Sequence, residues 1–181
     1  TLERFGVEVM YHEGDYSEFY IEGGQEFKAV DYTIESDWSA AATIMVAAAI
    51  AGEVTINNLS TLSRQADTAI CRALERAGAS LIIEENSITV AHRELEAFTF
   101  DATQCPDLFP ALVALAAAAD GVSTIYGIER LRGKESDRGE VLKEEYEKLG
   151  IDIELDYDEN VMRVVGGKPH VAEVDSHDDH R

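Results

Sequence analysis

The sequence predicts an α/β protein made of repeated β-α-β-α-β-β units packed around buried helices, and three observations carry that prediction. First, Leu2-Glu3-Arg4-Phe5-Gly6-Val7-Glu8-Val9, Leu74-Glu75-Arg76-Ala77-Gly78-Ala79-Ser80-Leu81 and Tyr146-Glu147-Lys148-Leu149-Gly150-Ile151-Asp152-Ile153 are variants of one helix-to-strand junction, with glycines recurring every 72 residues. Second, two alternating apolar runs flank a polar turn after each glycine, the pattern of a β-hairpin. Third, two alanine-rich stretches between the hairpins are apolar on nearly every side, as helices buried all round must be.

Residues 1–6 read as the last turns of an amphipathic helix, ended by Gly6, where positive φ lets the chain turn directly into a strand. Val7–Tyr11 and Glu18–Ile21 form the first predicted hairpin. Tyr32–Glu35 reads as a short strand leading into the first buried helix, Ser39–Ala51, which stops at Gly52. Strand Val54–Asn57 follows, then an amphipathic helix from about Arg64 to Ala77 with Ile70, Ala73, Leu74 and Ala77 on one face. The hairpin of Ala79–Ile83 and Ser87–Val90 closes that unit. The next unit repeats the order with strand Phe98–Asp101, buried helix Leu108–Ala119, strand Val122–Tyr126, amphipathic helix Ser136–Leu149 and the hairpin of Ile151–Leu155 and Val161–Val165. Val141, Leu142, Tyr146 and Leu149 are expected inward, and Asp137, Glu140, Lys143, Glu144, Glu147 and Lys148 outward. Val171–Val174 and the polar run after it resemble the strand and loop before a further buried helix. The expected division is therefore 1–31 as the tail of one unit, 32–97 and 98–168 as full units, and 169–181 as the start of another, so the chain reads as a piece of a longer protein.

Composition bounds the function. With 45% hydrophobic residues in 181 the chain can bury a sizeable core, and a net charge of −21 with a pI near 4.4 disfavours nucleic-acid and anionic-membrane partners, which need a broad basic surface. Each apolar run falls well short of the roughly 20 residues of a membrane span, and no stretch has the pattern of a signal peptide. Two cysteines, Cys71 and Cys105, make no disulfide framework, so a reducing cytoplasm is the expected location. Against this acidic background, Arg130, Arg132, Lys134 and Arg138 place four of the 15 Lys and Arg residues in one short stretch. A loop entering a helix offers free N–H groups and the positive end of the dipole, so cations there make an anion site; the plainer alternative is a solvated helix start paired with Glu129, Glu135 and Asp137.

Pro106-Asp107 at the mouth of a buried helix, Lys134-Glu135-Ser136-Asp137-Arg138, and Asp178-Asp179-His180-Arg181 resemble, in order and spacing, three signatures of the 5-enolpyruvylshikimate-3-phosphate synthase family. The resemblance covers essentially the whole chain, and the Lys-Glu-Ser-Asp-Arg run is its most specific part. It implies one domain of the two-domain inside-out α/β barrel of enolpyruvyl transferases, most of the C-terminal domain, with the N-terminal domain as its missing partner. It implies transfer of the enolpyruvyl group of phosphoenolpyruvate to the 5-hydroxyl of shikimate 3-phosphate with release of phosphate, in aromatic amino-acid biosynthesis, with no cofactor and no metal.

By the same resemblance Asp107 is the proton acceptor and a shikimate 3-phosphate contact, Glu135 the proton donor, and Lys134 a shikimate 3-phosphate ligand. Arg138, Arg181 and His180 would hold phosphoenolpyruvate. Arginine suits that task because its planar fork grips carboxylate or phosphate oxygens bidentately. Arg130 stands where many relatives carry a ligand-contacting asparagine. Read locally, Asp107 is also a plausible helix N-cap and Glu135 a dipole partner. The alternatives are a sister transferase acting on a UDP-amino sugar and a non-catalytic repeat scaffold with an acidic face for a protein partner. The acidic, histidine-containing run Asp175–His180 sits on no scaffold that would hold a metal; Cys105, Trp38 and Met45 read as packing, Gly23-Gly24 as a turn, and Gln65 and Asp67 as helix-start residues.

Overall fold

The structure is a computed structural model that describes residues 1–12, 15–134 and 136–180. It divides into two compact units, Thr1–Ile34 and Glu35–Arg181.

In the first unit a 3-10 turn, Leu2–Phe5, ends at Gly6 with φ 81°. The hairpin consists of β1 (Met10–His12) and β2 (Asp15–Tyr20), with Met10 opposite Tyr20 and His12 opposite Asp15 across an irregular register. The strand starts later than the apolar alternation from Val7 predicts. The reason is a partner 17 residues on: the Gln25 side chain accepts from the Glu8 N–H (2.7 Å) and donates to the Glu8 carbonyl (3.1 Å), consuming the groups a ladder would need.

The second unit begins with α1 (Trp38–Ala51), capped by Asp37, whose carboxylate accepts from the Ser39 N–H at 2.9 Å. After it come β3 (Glu53–Asn57), a 3-10 turn (Ala66–Ala69) running into α2 (Ile70–Arg76), and the hairpin of β4 (Ser80–Ile83) and β5 (Ser87–Ala91). These strands make an antiparallel sheet ordered β3-β5-β4. The repeat continues with β6 (Thr99–Asp101), a 3-10 turn (Pro106–Leu108) into α3 (Phe109–Ala117), β7 (Val122–Tyr126), a 3-10 turn (Ile128–Leu131), α4 (Arg138–Lys148), and the hairpin of β8 (Ile153–Asp156) and β9 (Val161–Val165). Its sheet runs β6-β7-β9-β8, with β6 parallel to β7 and the other pairs antiparallel. The helices α1 and α3 pack on each other and are buried as their all-round apolar pattern requires, with Ala42, Met45, Ala49, Leu112, Val113, Leu115 and Ala116 inaccessible to solvent. Gly78 and Gly150 turn the chain into β4 and β8 with φ 84° and 80°, the same device as Gly6.

Three expectations are corrected here. Val171–Val174 forms no strand, and Val171 is 100% exposed. Residues 32–35 form no strand; the alternating Tyr32 and Ile34 are exposed, Ile34 at 81%, so the stretch has neither a ladder nor cover for its apolar face among the described residues. The helix expected from about Arg64 starts as a 3-10 turn at Ala66, because Gln65 is tied to the mouth of α1: its side chain accepts from the Trp38 N–H (3.0 Å) and donates to the Ser36 carbonyl (2.8 Å).

Candidate functional site

The site is built where the second repeat brings its helix mouths together. At the end of β6, Asp101 accepts from the Thr103 N–H at 2.9 Å, turning the chain toward Pro106, which opens the turn that sets Asp107 at the mouth of α3. On leaving β7 the chain passes that loop so closely that a Cβ on Gly127 (φ 106°) would lie 2.8 Å from the Thr103 nitrogen. Ile128 and Leu131, both fully buried, anchor the next turn. Beyond it the Arg132 guanidinium lies 4.0 Å over the Tyr157 ring, and the Tyr157 hydroxyl donates to Glu140 of α4 at 3.0 Å. This brace holds both ends of the loop that carries Lys134.

Lys134 and Arg138 converge on Asp107: Lys134 Nζ donates to Oδ1 at 3.2 Å, and Arg138 Nη1 donates to the same oxygen at 2.8 Å. The other side of the Arg138 fork grips Asp179 in a bidentate pair, Nε to Oδ2 at 2.8 Å and Nη2 to Oδ1 at 3.0 Å, and the Ser136 hydroxyl reaches Oδ2 at 3.1 Å. Arg138 and Asp179 are buried, with side chains 3% and 5% exposed, whereas Lys134 and Asp107 are open to solvent at 30% and 35%. Burial alone would raise the Asp107 carboxyl, but the hydrogen bonds from Lys134 and Arg138 outweigh it and hold the carboxyl below its ordinary range. The arrangement puts an ionised carboxylate and a half-buried ammonium at the surface with a buried, firmly held guanidinium behind them, which is equipment for binding an anion and accepting a proton beside it.

A cavity of about 240 Å³ adjoins Arg138 and Asp179, walled by Pro110, Leu142 and Val174. The larger groove, about 1030 Å³ along His92, Leu95, Ala118 and Lys168, contains none of these groups. On the buried face of α4, Glu145 takes Lys148 Nζ (2.6 Å), His177 Nε2 (2.7 Å) and the Asp175 N–H (2.9 Å). Glu144, Glu145 and His177 lie close enough to share a metal ion, yet the Lys148 ammonium sits 3.3 Å from Glu144 and 2.6 Å from Glu145, so a cation already bridges those carboxylates.

Of the residues singled out in the sequence, Asp107, Lys134 and Arg138 are brought into direct contact. His180 lies at the rim, Nδ1 3.7 Å from Asp179 Oδ1. Arg130 is exposed on its turn and Arg132 is committed to Tyr157. Glu135 and Arg181 lie outside the described residues. Among the described residues, Lys134 and Arg138 are held by partners 27 to 41 residues away. Asp179 as the holder of Arg138 has no signal in the sequence; the need for it follows only once Arg138 is found buried, because a buried guanidinium requires a carboxylate partner. Cys105 is buried, and its thiol is pushed up to about 11 by burial, consistent with packing.

Residues 1–181 match the family model described as EPSP synthase (3-phosphoshikimate 1-carboxyvinyltransferase). The chain belongs to the EPSP synthase family. It is 38% identical to the 3-phosphoshikimate 1-carboxyvinyltransferases of Brachyspira hyodysenteriae and Clostridioides difficile, over 100% of its own length and 43% and 41% of theirs. The chain thus spans about two-fifths of the curated relatives it matches. An EPSP synthase structure from Acinetobacter baumannii superposes with a TM-score of 0.81 at 27% identity, covering 99% of this chain and 44% of that one. The enolpyruvyl transferase NikO from Streptomyces tendae, at 20% identity and a TM-score of 0.64 over 94% of this chain and 39% of that one, shares the fold. The mixed α/β repeat around buried helices is one domain of the EPSP synthase fold.

Proposed function

We propose that this chain supplies one wall of the active site of a 3-phosphoshikimate 1-carboxyvinyltransferase, which joins phosphoenolpyruvate to the 5-hydroxyl of shikimate 3-phosphate and releases phosphate. The observation that carries the reading is the convergence of Lys134 and Arg138 on Asp107 at a helix mouth, in a chain of net charge −21. The hydroxyl oxygen bonds to C2 of phosphoenolpyruvate while C3 gains a proton; loss of a proton from C3 then expels phosphate and restores the double bond. Asp107, ionised in its resting contacts, takes the hydroxyl proton. Glu135 delivers and removes the proton at C3. Lys134 holds the shikimate 3-phosphate side, and Arg138, Arg181 and His180 hold phosphoenolpyruvate. The cytoplasm suits both the reaction and the free thiols of Cys71 and Cys105.

The other wall belongs to an N-terminal domain that closes over the substrates, excluding water and completing the cation set. The test supplies the remainder in trans. The N-terminal domain and the final repeat unit, produced separately, are mixed with this chain, shikimate 3-phosphate and phosphoenolpyruvate, and phosphate release is followed. Release that falls at least about 10²-fold in Asp107→Ala and Lys134→Ala is the expected result. Assembly of the parts, seen by light scattering, without any phosphate release would refute the reading.

A further inference from the structure

We propose that Glu145 is a positioning residue for this site: it holds the segment 175–179 as a strap, so that Asp179 keeps Arg138 aimed at Asp107. Glu145 follows Arg138 by two helical turns and therefore shares its face of α4. A glutamate there is normally solvated, yet this one is 7% exposed and spends its carboxylate on the strap, accepting from the Asp175 N–H at 2.9 Å and from His177 Nε2 at 2.7 Å. The strap is bent tightly. Asp175 accepts from the His177 N–H at 2.7 Å, the Asp179 N–H donates to the Ser176 carbonyl at 3.0 Å, and His177 and Asp178 occupy left-handed backbone at φ 51° and 55°. Two consecutive non-glycine residues hold that conformation only when neighbouring contacts overdetermine it. The bend delivers Asp179 to the Arg138 fork and the Ser136 hydroxyl. The mechanical chain runs from Glu145 through the strap to Asp179, Arg138 and Asp107.

The latch also carries a pH dependence. Glu145 and Glu144 of α4 and Asp175 of the strap face His177, and Lys148 shares with it the same Glu145 oxygen, Oε1. The hydrogen bond to Glu145 is the largest influence holding the imidazole protonated above its ordinary range. A raised folded value means that the contribution is full below the ordinary histidine value and declines as pH rises through the raised one.

The proposal rests on the transferase reading only in taking Arg138 as a substrate clamp. Its test uses no substrate, so its failure is distinct from a failure of phosphate release. In the ¹⁵N-labelled chain the Arg138 Nε–H resonance, assigned by its loss in Arg138→Lys, is followed for exchange with solvent. Glu145→Ala and His177→Phe are expected to speed that exchange at least about tenfold under conditions where Trp38 fluorescence shows the chain folded. In the unsubstituted chain the exchange, corrected for hydroxide concentration, is expected to step up as His177 titrates, and His177→Phe abolishes the step. A Glu145 that is merely structural would lower the unfolding midpoint and leave Arg138 exchange unchanged; that result, or the absence of the pH step, overturns the proposal. Should Glu145→Ala fail to fold, His177→Phe decides alone.

Discussion

Removing Asp179 tests the construction of the site most directly. Arg138 is 3% exposed, and Asp179 supplies both oxygens of its bidentate pair. Breaking a buried pair by deleting one partner costs about 3–5 kcal/mol, because the remaining charge is stranded. Here Asp107 still holds Nη1, and the cavity beside the pair offers a path for water, so Asp179→Ala should cost about 2–3 kcal/mol. With a urea slope of about 2 kcal/mol per molar, the midpoint falls by roughly 1 M. Trp38, the single tryptophan, is 2% exposed in the same unit and reports the transition by fluorescence. Asp179→Asn, which keeps an acceptor oxygen, should lose less. The paired replacement Arg138→Met with Asp179→Leu should recover most of the loss, since apolar isosteres can replace a buried ion pair at little cost. A midpoint shift under about 0.3 M in Asp179→Ala, against the roughly 1 M expected from the urea slope, would refute a buried, mutually dependent pair.

Three further outcomes are expected. Because the folded Asp107 carboxyl is depressed, its contribution is present above the unfolded carboxylate value near pH 4 and is lost as pH falls through the folded value, so the urea-midpoint difference between the chain and Asp107→Asn should be steady from about pH 5 to 8 and vanish in acid; a difference undiminished at about pH 2 contradicts the assignment. Gly127→Ala should cost about 2 kcal/mol in the same urea assay, since its φ of 106° and the Thr103 nitrogen 2.8 Å from the new Cβ leave the methyl no room; a neutral result would mean that the two loops do not touch. Cys105, buried and with its thiol pushed up to about 11, should react with a thiol reagent at pH 8 at least about 10²-fold more slowly in the native chain than in urea; equal rates would place it at the surface.

The elements that were legible in sequence are those whose signal is local. The all-round apolar runs of α1 and α3 and the hairpins after Gly78 and Gly150 declare themselves by periodicity and by a glycine that must take positive φ. The illegible parts are those decided by distant partners. Nothing in Gly6-Val7-Glu8 says that Gln25 will take up the Glu8 backbone and delay β1. On α4 the helical pattern marks Val141, Leu142, Tyr146 and Leu149 as inward, yet they are only partly covered, while Arg138 and Glu145 are buried. Arg138 and Glu145 go inside because Asp107, Asp179 and the strap meet them there, and those partners lie 30 or more residues away. The motif therefore named the cations, and only the fold names what holds them.

The two repeats solve one mechanical problem in different currencies. In the first, the start of α2 is tied to the mouth of α1 by the amide of Gln65 and by Asp67, which accepts from the Ser39 hydroxyl. In the second, the same joint is made by Lys134 and Arg138 on Asp107, and it has a fixed half and a loose half. Arg138 is buried against Asp179, whereas the Lys134–Asp107 pair is partly solvated, and such pairs are worth only about 0–1 kcal/mol. An incoming phosphate can therefore draw Lys134 away while Arg138 stays in place. On the proposed reading that exchange is productive: the hydrogen bond from Lys134 helps keep Asp107 acidic, so surrendering it to substrate makes Asp107 a better proton acceptor at the moment a hydroxyl arrives. Lys134→Met imitates the exchange without a ligand. In that variant Asp107, followed by ¹³C carboxyl shifts, should titrate closer to the ordinary carboxylate value than in the parent chain. If its titration does not move, Lys134 does not govern Asp107, and the loose half of the joint has no part in the chemistry.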